Sequence, residues 1–206
     1  MKVLGQHGNV NTNKVLAAAE FLGQKVTFVH QETLKNKEFL AKNPLGKCPI
    51  LESPNGLLTS SDAILRYLSS VAGQHPCAFE SAQIDSWINF ASQELAPVAQ
   101  ALTTQVFGTC AANPGLQQKA LNDLRQLLNF LNEHLKTRTV FCGCKISIAD
   151  IAVASHLHYL FQFVIDEKLR NGWVNLTRWF SFVAGQEEWK RAFGKARFCK
   201  TQWAFS

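Results

Sequence analysis

The chain lacks any apolar run near the roughly 18 residues that a membrane-spanning helix needs. Its first residues, MKVLGQHGNVNTN, turn polar too soon for a secretory signal. It has little cysteine patterning: Cys48, Cys77, Cys110, Cys142, Cys144 and Cys199 show no framework spacing. They read as reduced intracellular thiols rather than bridges, and a cytoplasmic location is expected. No aromatic-rich RNA-recognition signature is present, so direct nucleic-acid binding is not expected. Nor is a strong charge excess present, the formal net charge being +6. Lys190, Arg191, Lys195, Arg197 and Lys200 gather near the end. A solvated helix face accounts for them, the alternative being a docking surface for an acidic partner, protein or tRNA.

What the chain does have is 206 residues that are 47% hydrophobic, enough for a real core. The first 72 residues alternate strand and helix. Lys2–Gln6 and Lys25–His30 read as strands, and Asn11–Leu22 as a helix stopped at Gly23. Glu38–Asn43 reads as a helical turn ended by Pro44. Cys48–Glu52 and Leu57–Thr59 form a hairpin about Ser53-Pro54-Asn55-Gly56, whose proline and glycine suit a type I turn. Ile64, Tyr67, Leu68 and Val71 mark one face of the next helix.

Gly73-Gln74-His75-Pro76-Cys77 breaks the pattern, so residues 73–79 are assigned as a linker and 80–206 as an all-helical domain. Helices are expected over Ala82–Val106, Leu116–Leu135, Ser147–Phe163, Trp173–Ala184 and Glu187–Gly194, with no strand, repeat or low-complexity tract among them. The fold class is α/β plus all-α. The order strand, turn, strand, helix within Asn43–Leu68 resembles that of a thioredoxin-like half-domain, and the resemblance implies a place for a tripeptide thiol such as glutathione.

Over nearly the whole length these features resemble the glutathione transferase superfamily. One likeness is Gly46-Lys47-Cys48-Pro49 followed by Ser61-Asp62-Ala63-Ile64. Another is the run from Phe141 to Asp150, similar to the family's hydrophobic-x-Gly-x-x-hydrophobic-Ser/Thr-x-Ala-Asp helix start, in which Ser147 and Asp150 form a structural capping box. A third is Asn175-Leu176-Thr177-Arg178-Trp179-Phe180. Within the superfamily, Leu135–Thr139, Arg178-Trp179-Phe180, Gly194 and Cys199 are similar to the gamma-subunit family of translation elongation factor 1, whose usual Pro and Phe are Glu187 and Trp189 here.

That resemblance implies a thioredoxin-like domain followed by an all-helical one. It implies an assembly role in the elongation factor 1 complex, anchoring the nucleotide-exchange subunits, with aminoacyl-tRNA synthetases as further partners. Homodimerisation or hetero-assembly would use the Ser61–Ser70 helix and the helix starting near Ala82. A glutathione S-transferase, and an interaction domain appended to an aminoacyl-tRNA synthetase, are the alternatives. The gamma-subunit family continues through a Lys-rich linker into a second domain. This sequence stops at Ser206 before either, and is expected to be an excised domain or a shortened protein.

The resemblance also names the site. Pro49 would be the family's cis-proline, and Cys48, with Lys47, the place where the glutathione main chain pairs. Ser61 at a helix N-terminus, with Ser60, can offer a hydroxyl and free N–H groups to the γ-glutamyl carboxylate, or simply cap the helix. Where the family has Glu or Gln, Ser60 stands. Glutathione is thus the ligand implied, with no cofactor required.

Catalysis is a separate matter, because the thiolate is the nucleophile and needs a hydroxyl or thiol beside it. The family places a Tyr, Ser or Cys between the first strand and first helix, and the stretch from Gln6 to Lys14 holds none. Asn9 stands where the serine-type enzymes have their hydroxyl; its amide can donate to a thiolate. Thr12 reads as a helix cap and His7 as a surface residue. Efficient transferase chemistry is not expected. Cys142-x-Cys144 lacks zinc spacing, and His156 and His158, two apart on a helix, point to different faces, so no metal site is expected.

Overall fold

The computed structural model describes residues 1–109 and 113–201 and forms two compact units, one made of Met1–Cys77 with Glu187–Gly194, the other of Ala78–Gln186 with the segment from Lys195. Cys110 lies outside the described residues.

The first unit is built on a four-stranded sheet ordered β2-β1-β3-β4: β1 (Lys2–Gly5), β2 (Thr27–His30), β3 (Ile50–Ser53) and β4 (Gly56–Leu58). β1 runs parallel to β2 and antiparallel to β3, and the β3–β4 hairpin closes on Ser53 opposite Gly56. Between β1 and β2 the chain crosses over through α1 (Val10–Phe21), which a parallel pair requires. α2 (Lys37–Lys42) and α3 (Ser61–Val71) complete a thioredoxin-like layer order.

α1 shows why a single apolar stripe is not its signature. It packs against β1, α3 and α10 (Glu187–Phe193), so Thr12, Asn13 and Lys14 are buried along with Val15 and Ala17–Ala19. Gly23, at φ +64, ends it in the left-handed conformation glycine adopts freely. α10 returns from the far end of the sequence, its buried Trp189 stacked on Phe193 at 4.3 Å and its Arg191 paired with Glu20 of α1 at 2.7 Å. Val71, expected on the buried face of α3, is the last residue of the helix and is 47% exposed, while Leu68 and Ser69 in the same turn stay buried.

The second unit is helical: α4 (Ala78–Phe90), α5 (Ala96–Val106), α6 (Pro114–His134), α7 (Ile148–Phe163), α8 (Glu167–Gly172) and α9 (Val174–Ala184). The single helix expected over Ala82–Val106 starts at Ala78 and is interrupted by a π-helical turn at Ala91–Leu95. Pro97, two residues on, has no N–H for the α ladder, and the wider turn takes up the mismatch. α8 was not expected from the sequence; Asp166 caps it by accepting from the Leu169 N–H at 2.9 Å.

α7 is the core of this unit and is buried over most of its circumference. Its start is fixed by the capping box, with the Ser147 N–H donating to Asp150 Oδ2 at 3.0 Å. No described helix is long and apolar enough to cross a membrane.

Candidate functional site

The site residues named from the sequence that fall in the first unit surround two helix starts. α1 begins at Asn9, whose Oδ1 accepts the Thr12 N–H at 3.0 Å. The cap is therefore Asn9 and not Thr12, which corrects the expectation from the sequence: a residue with extended φ,ψ just before the helix supplies the oxygen, while a residue inside the first turn supplies the donor. Thr12 is instead fully buried. Its Oγ1 lies 3.4 Å from Asn9 Oδ1 and 3.6 Å from Cys48 Sγ. Gly5 makes room for it, since a Cβ there would meet Thr12 Oγ1 at 2.5 Å.

Cys48 precedes Pro49 across a cis peptide bond, and Pro49 is buried. The turn that leads in is organised by Asn43, itself buried. Its Nδ2 donates to the Lys47 carbonyl at 2.7 Å, its Oδ1 accepts from the Leu45 N–H at 3.3 Å, and its carbonyl accepts from the Gly46 N–H at 2.9 Å. Gly46 takes φ +60 there. Lys47 itself is exposed.

Ser60 is the N-cap residue of α3 but its side chain makes no capping bond. The first-turn N–H groups, which a cap would otherwise occupy, are left to other acceptors. Ser61 Oγ lies 3.4 Å from Asn11 Oδ1 and 3.4 Å from Asp62 Oδ1. Asp62 in turn takes an ion pair from Lys14 at 2.6 Å, and the Lys14 side chain is 1% exposed. Burial pulls the Lys14 pKa below the ordinary lysine value, while the charge and hydrogen bond of Asp62 push the other way. The structure thus brings together Asn9, Cys48 and Pro49 around Thr12, and Ser60 and Ser61 around Asn11, Asp62 and Lys14. Thr12's contact with Cys48 and the Lys14–Asp62 pair were missed in the sequence, where Lys14 carries no mark of burial.

His7 is exposed and stacks on His30 at 4.8 Å with Phe28 at its edge. In the second unit, Cys142 is buried and Cys144 exposed. His156 and His158 are both buried, because α7 has no solvent face for either. Burial lowers the His158 pKa to about 4. Among the described residues no three His, Cys, Asp or Glu side chains come together as metal ligands. Of the terminal cations, Lys190 pairs with Glu187 at 2.6 Å and Arg191 with Glu20.

Comparison with known proteins adds the following. Residues 1–70 match the family model "Glutathione S-transferase, N-terminal domain", and residues 95–187 match "Glutathione S-transferase, C-terminal domain". Elongation factor 1-gamma of Artemia salina is 35% identical over 197 residues, 93% of this chain and 46% of that protein. A glutathione S-transferase-like protein of Gibberella fujikuroi is 35% identical over 201 residues, 92% of this chain and 95% of that protein. The chain spans about half the length of the elongation factor relatives it matches. The glutathione S-transferase-like domain of elongation factor 1-gamma from Saccharomyces cerevisiae has the same fold, with a TM-score of 0.84 at 20% identity, covering 98% of this chain and 97% of that one.

Proposed function

The chain belongs to the glutathione S-transferase superfamily, and from that premise we propose that it acts as an assembly domain of the translation elongation factor 1 complex in the cytoplasm, anchoring the nucleotide-exchange subunits. Relatives named elongation factor 1-gamma, 31–35% identical over more than nine-tenths of the chain, support this reading. The observation that carries it is Asn9. It stands at the start of α1, and its side-chain oxygen serves as the helix cap. Among the described residues between β1 and α1 there is no tyrosine, serine or cysteine to stabilise a bound thiolate.

Co-purification with the N-terminal domain of an elongation factor 1 exchange subunit tests the reading. A stable stoichiometric complex is expected, and failure to co-purify overturns it. Aminoacyl-tRNA synthetases are further partners to include in the same experiment.

A second reading, a glutathione S-transferase, draws on one feature: the uncapped N-terminus of α3 beside Ser61, suited to a carboxylate. Calorimetry with glutathione and conjugation of a chromogenic electrophile decide it. Turnover that is lost in Asn9→Ala and weakened in Ser61→Ala supports this second reading, and background turnover in the unmodified protein removes it.

A further inference from the structure

The loop between α6 and α7 carries Cys142-Gly143-Cys144, a thiol pair that the assembly role does not use. Both cysteines are present as thiols, Cys142 only 7% exposed and Cys144 at the surface. Gly143 between them has φ +66, a conformation other residues rarely adopt, and a Cβ there would sit 3.2 Å from Glu80 Oε1. Two trans peptides keep alternate Cα atoms within about 7 Å even when extended, and a turn shortens this toward the roughly 4.4–6.8 Å that a disulfide spans.

The ends of this loop are held independently of the thiols. The Phe141 N–H donates to Asp150 Oδ1 and the Ser147 N–H to Asp150 Oδ2, each at 3.0 Å. One buried carboxylate therefore grips the chain on both sides of the pair. Just upstream, Arg178 Nη2 donates to the carbonyls of Leu135 and Arg138 at 2.8 and 2.9 Å. Joining the sulfurs brings the buried Cys142 side chain and the exposed Cys144 side chain together within residues 142–144, between the two points that Asp150 holds.

We propose that Cys142-Gly143-Cys144 is a thiol–disulfide exchange site whose substrates are small-molecule disulfides such as glutathione disulfide. Cys144, the accessible thiol, loses its proton to water and attacks one sulfur of the disulfide. That S–S bond breaks, one thiolate leaves, and a mixed disulfide remains on Cys144. Cys142 then loses its proton, attacks Cys144 Sγ and expels the second thiolate. The protein's two thiols give up two electrons, and the small disulfide becomes two thiols. Exposure sets the order, since exchange begins at the thiol that solvent can reach. A ring this small removes little entropy from the unfolded chain, so the bond is a reversible mark rather than a staple.

The test is intact-mass and peptide mapping of the full chain after incubation with excess glutathione disulfide. In wild type the peptide holding residues 142–144 is expected to lose two hydrogen atoms and retain no glutathione. In Cys142→Ser the glutathione adduct on Cys144 becomes the major species, and in Cys144→Ser Cys142 stays reduced. Exposed Cys77 serves as the internal control for thiolation. A wild type that keeps glutathione on Cys144 as fully as Cys142→Ser overturns the proposal. So does a loop that stays reduced while Cys77 reacts. If Cys142→Ser does not fold, Cys142→Ala replaces it, and the wild-type result decides on its own.

Discussion

Replacing Asp150 by asparagine sets two large effects against each other. The side chain is 0% exposed, and burial pushes its carboxyl above the usual carboxylate range. If desolvation of that charge dominated, Asp150→Asn would stabilise the fold. The geometry argues the reverse. Oδ1 accepts the Phe141 N–H at 3.0 Å and the Trp179 Nε1–H at 2.8 Å, and Oδ2 accepts the Ser147 N–H and hydroxyl, both at 3.0 Å. An asparagine keeps one acceptor and turns an amide donor on the other two groups. Either orientation strands one or two buried donors, each costing about 1–3 kcal/mol. The expected loss is about 2–4 kcal/mol. For a chain of this size each kcal/mol shifts Tm by roughly 2–4 °C, so a fall of about 4–16 °C is expected by circular dichroism. Trp179 fluorescence should report the same transition, since its indole loses or keeps its partner with Asp150. A Tm that is unchanged or raised would refute the reasoning and give desolvation the larger share.

Three further outcomes follow from buried groups. His158 is 3% exposed with a folded pKa of about 4 against an ordinary value of 6.5. The unfolded chain then binds the extra proton between those values, so stability is full above pH 6.5 and is lost by about 3 kcal/mol as the pH falls to 4; urea titrations of wild type and His158→Gln should diverge in that window, and parallel profiles exclude His158 as the cause. Gly5→Ala drives a Cβ to within 2.5 Å of Thr12 Oγ1 and 2.6 Å of its Cγ2, and should cost about 1–3 kcal/mol by denaturant unfolding, most of it recovered in Gly5→Ala/Thr12→Ala. Lys14→Ala removes the cation from Asp62, which is 28% exposed, and empties a buried site, so it should cost about 2–3 kcal/mol, whereas Lys14→Met/Asp62→Leu should cost less; equal losses in the two variants would mean that packing of the lysine stem matters and the pair does not.

How far the fold could be read from the sequence depended on how local each signal was. The Ser147–Asp150 box lies within one helical turn, and its residues name their own bonds. The β3–β4 hairpin was readable for the same reason, since Ser53-Pro54-Asn55-Gly56 carries its own turn chemistry. The π-helical turn at Ala91–Leu95 was not, because its cause, Pro97, sits beyond it and is tolerated at a helix start. α8 has a single large apolar residue in Glu-Lys-Leu-Arg-Asn-Gly and so shows no periodicity to detect. Lys14 looked like any solvated lysine because its partner stands 48 residues away. In the same way, α10 reads as the last of a helical series, yet it packs on α1.

The two helix starts of the first unit differ in what they leave available. Stabilising a thiolate takes donors that the fold does not already use. Asn9 gives its oxygen to the start of α1, and Thr12 has its hydroxyl enclosed between Gly5, Asn9 and Cys48. Thr12 is thereby committed to holding the helix and the strand together, whereas Asn9, its oxygen taken by the cap, has its side-chain amide N–H groups to offer. The N-terminus of α3 is different, for Ser60 leaves its first-turn N–H groups uncapped, and Ser61 sits beside them. The start of α1 at Asn9 and the start of α3 at Ser60 are thus separate parts of one unit, one capped and the other not. A ligand that docks at α3 without turnover would be the natural result of that division.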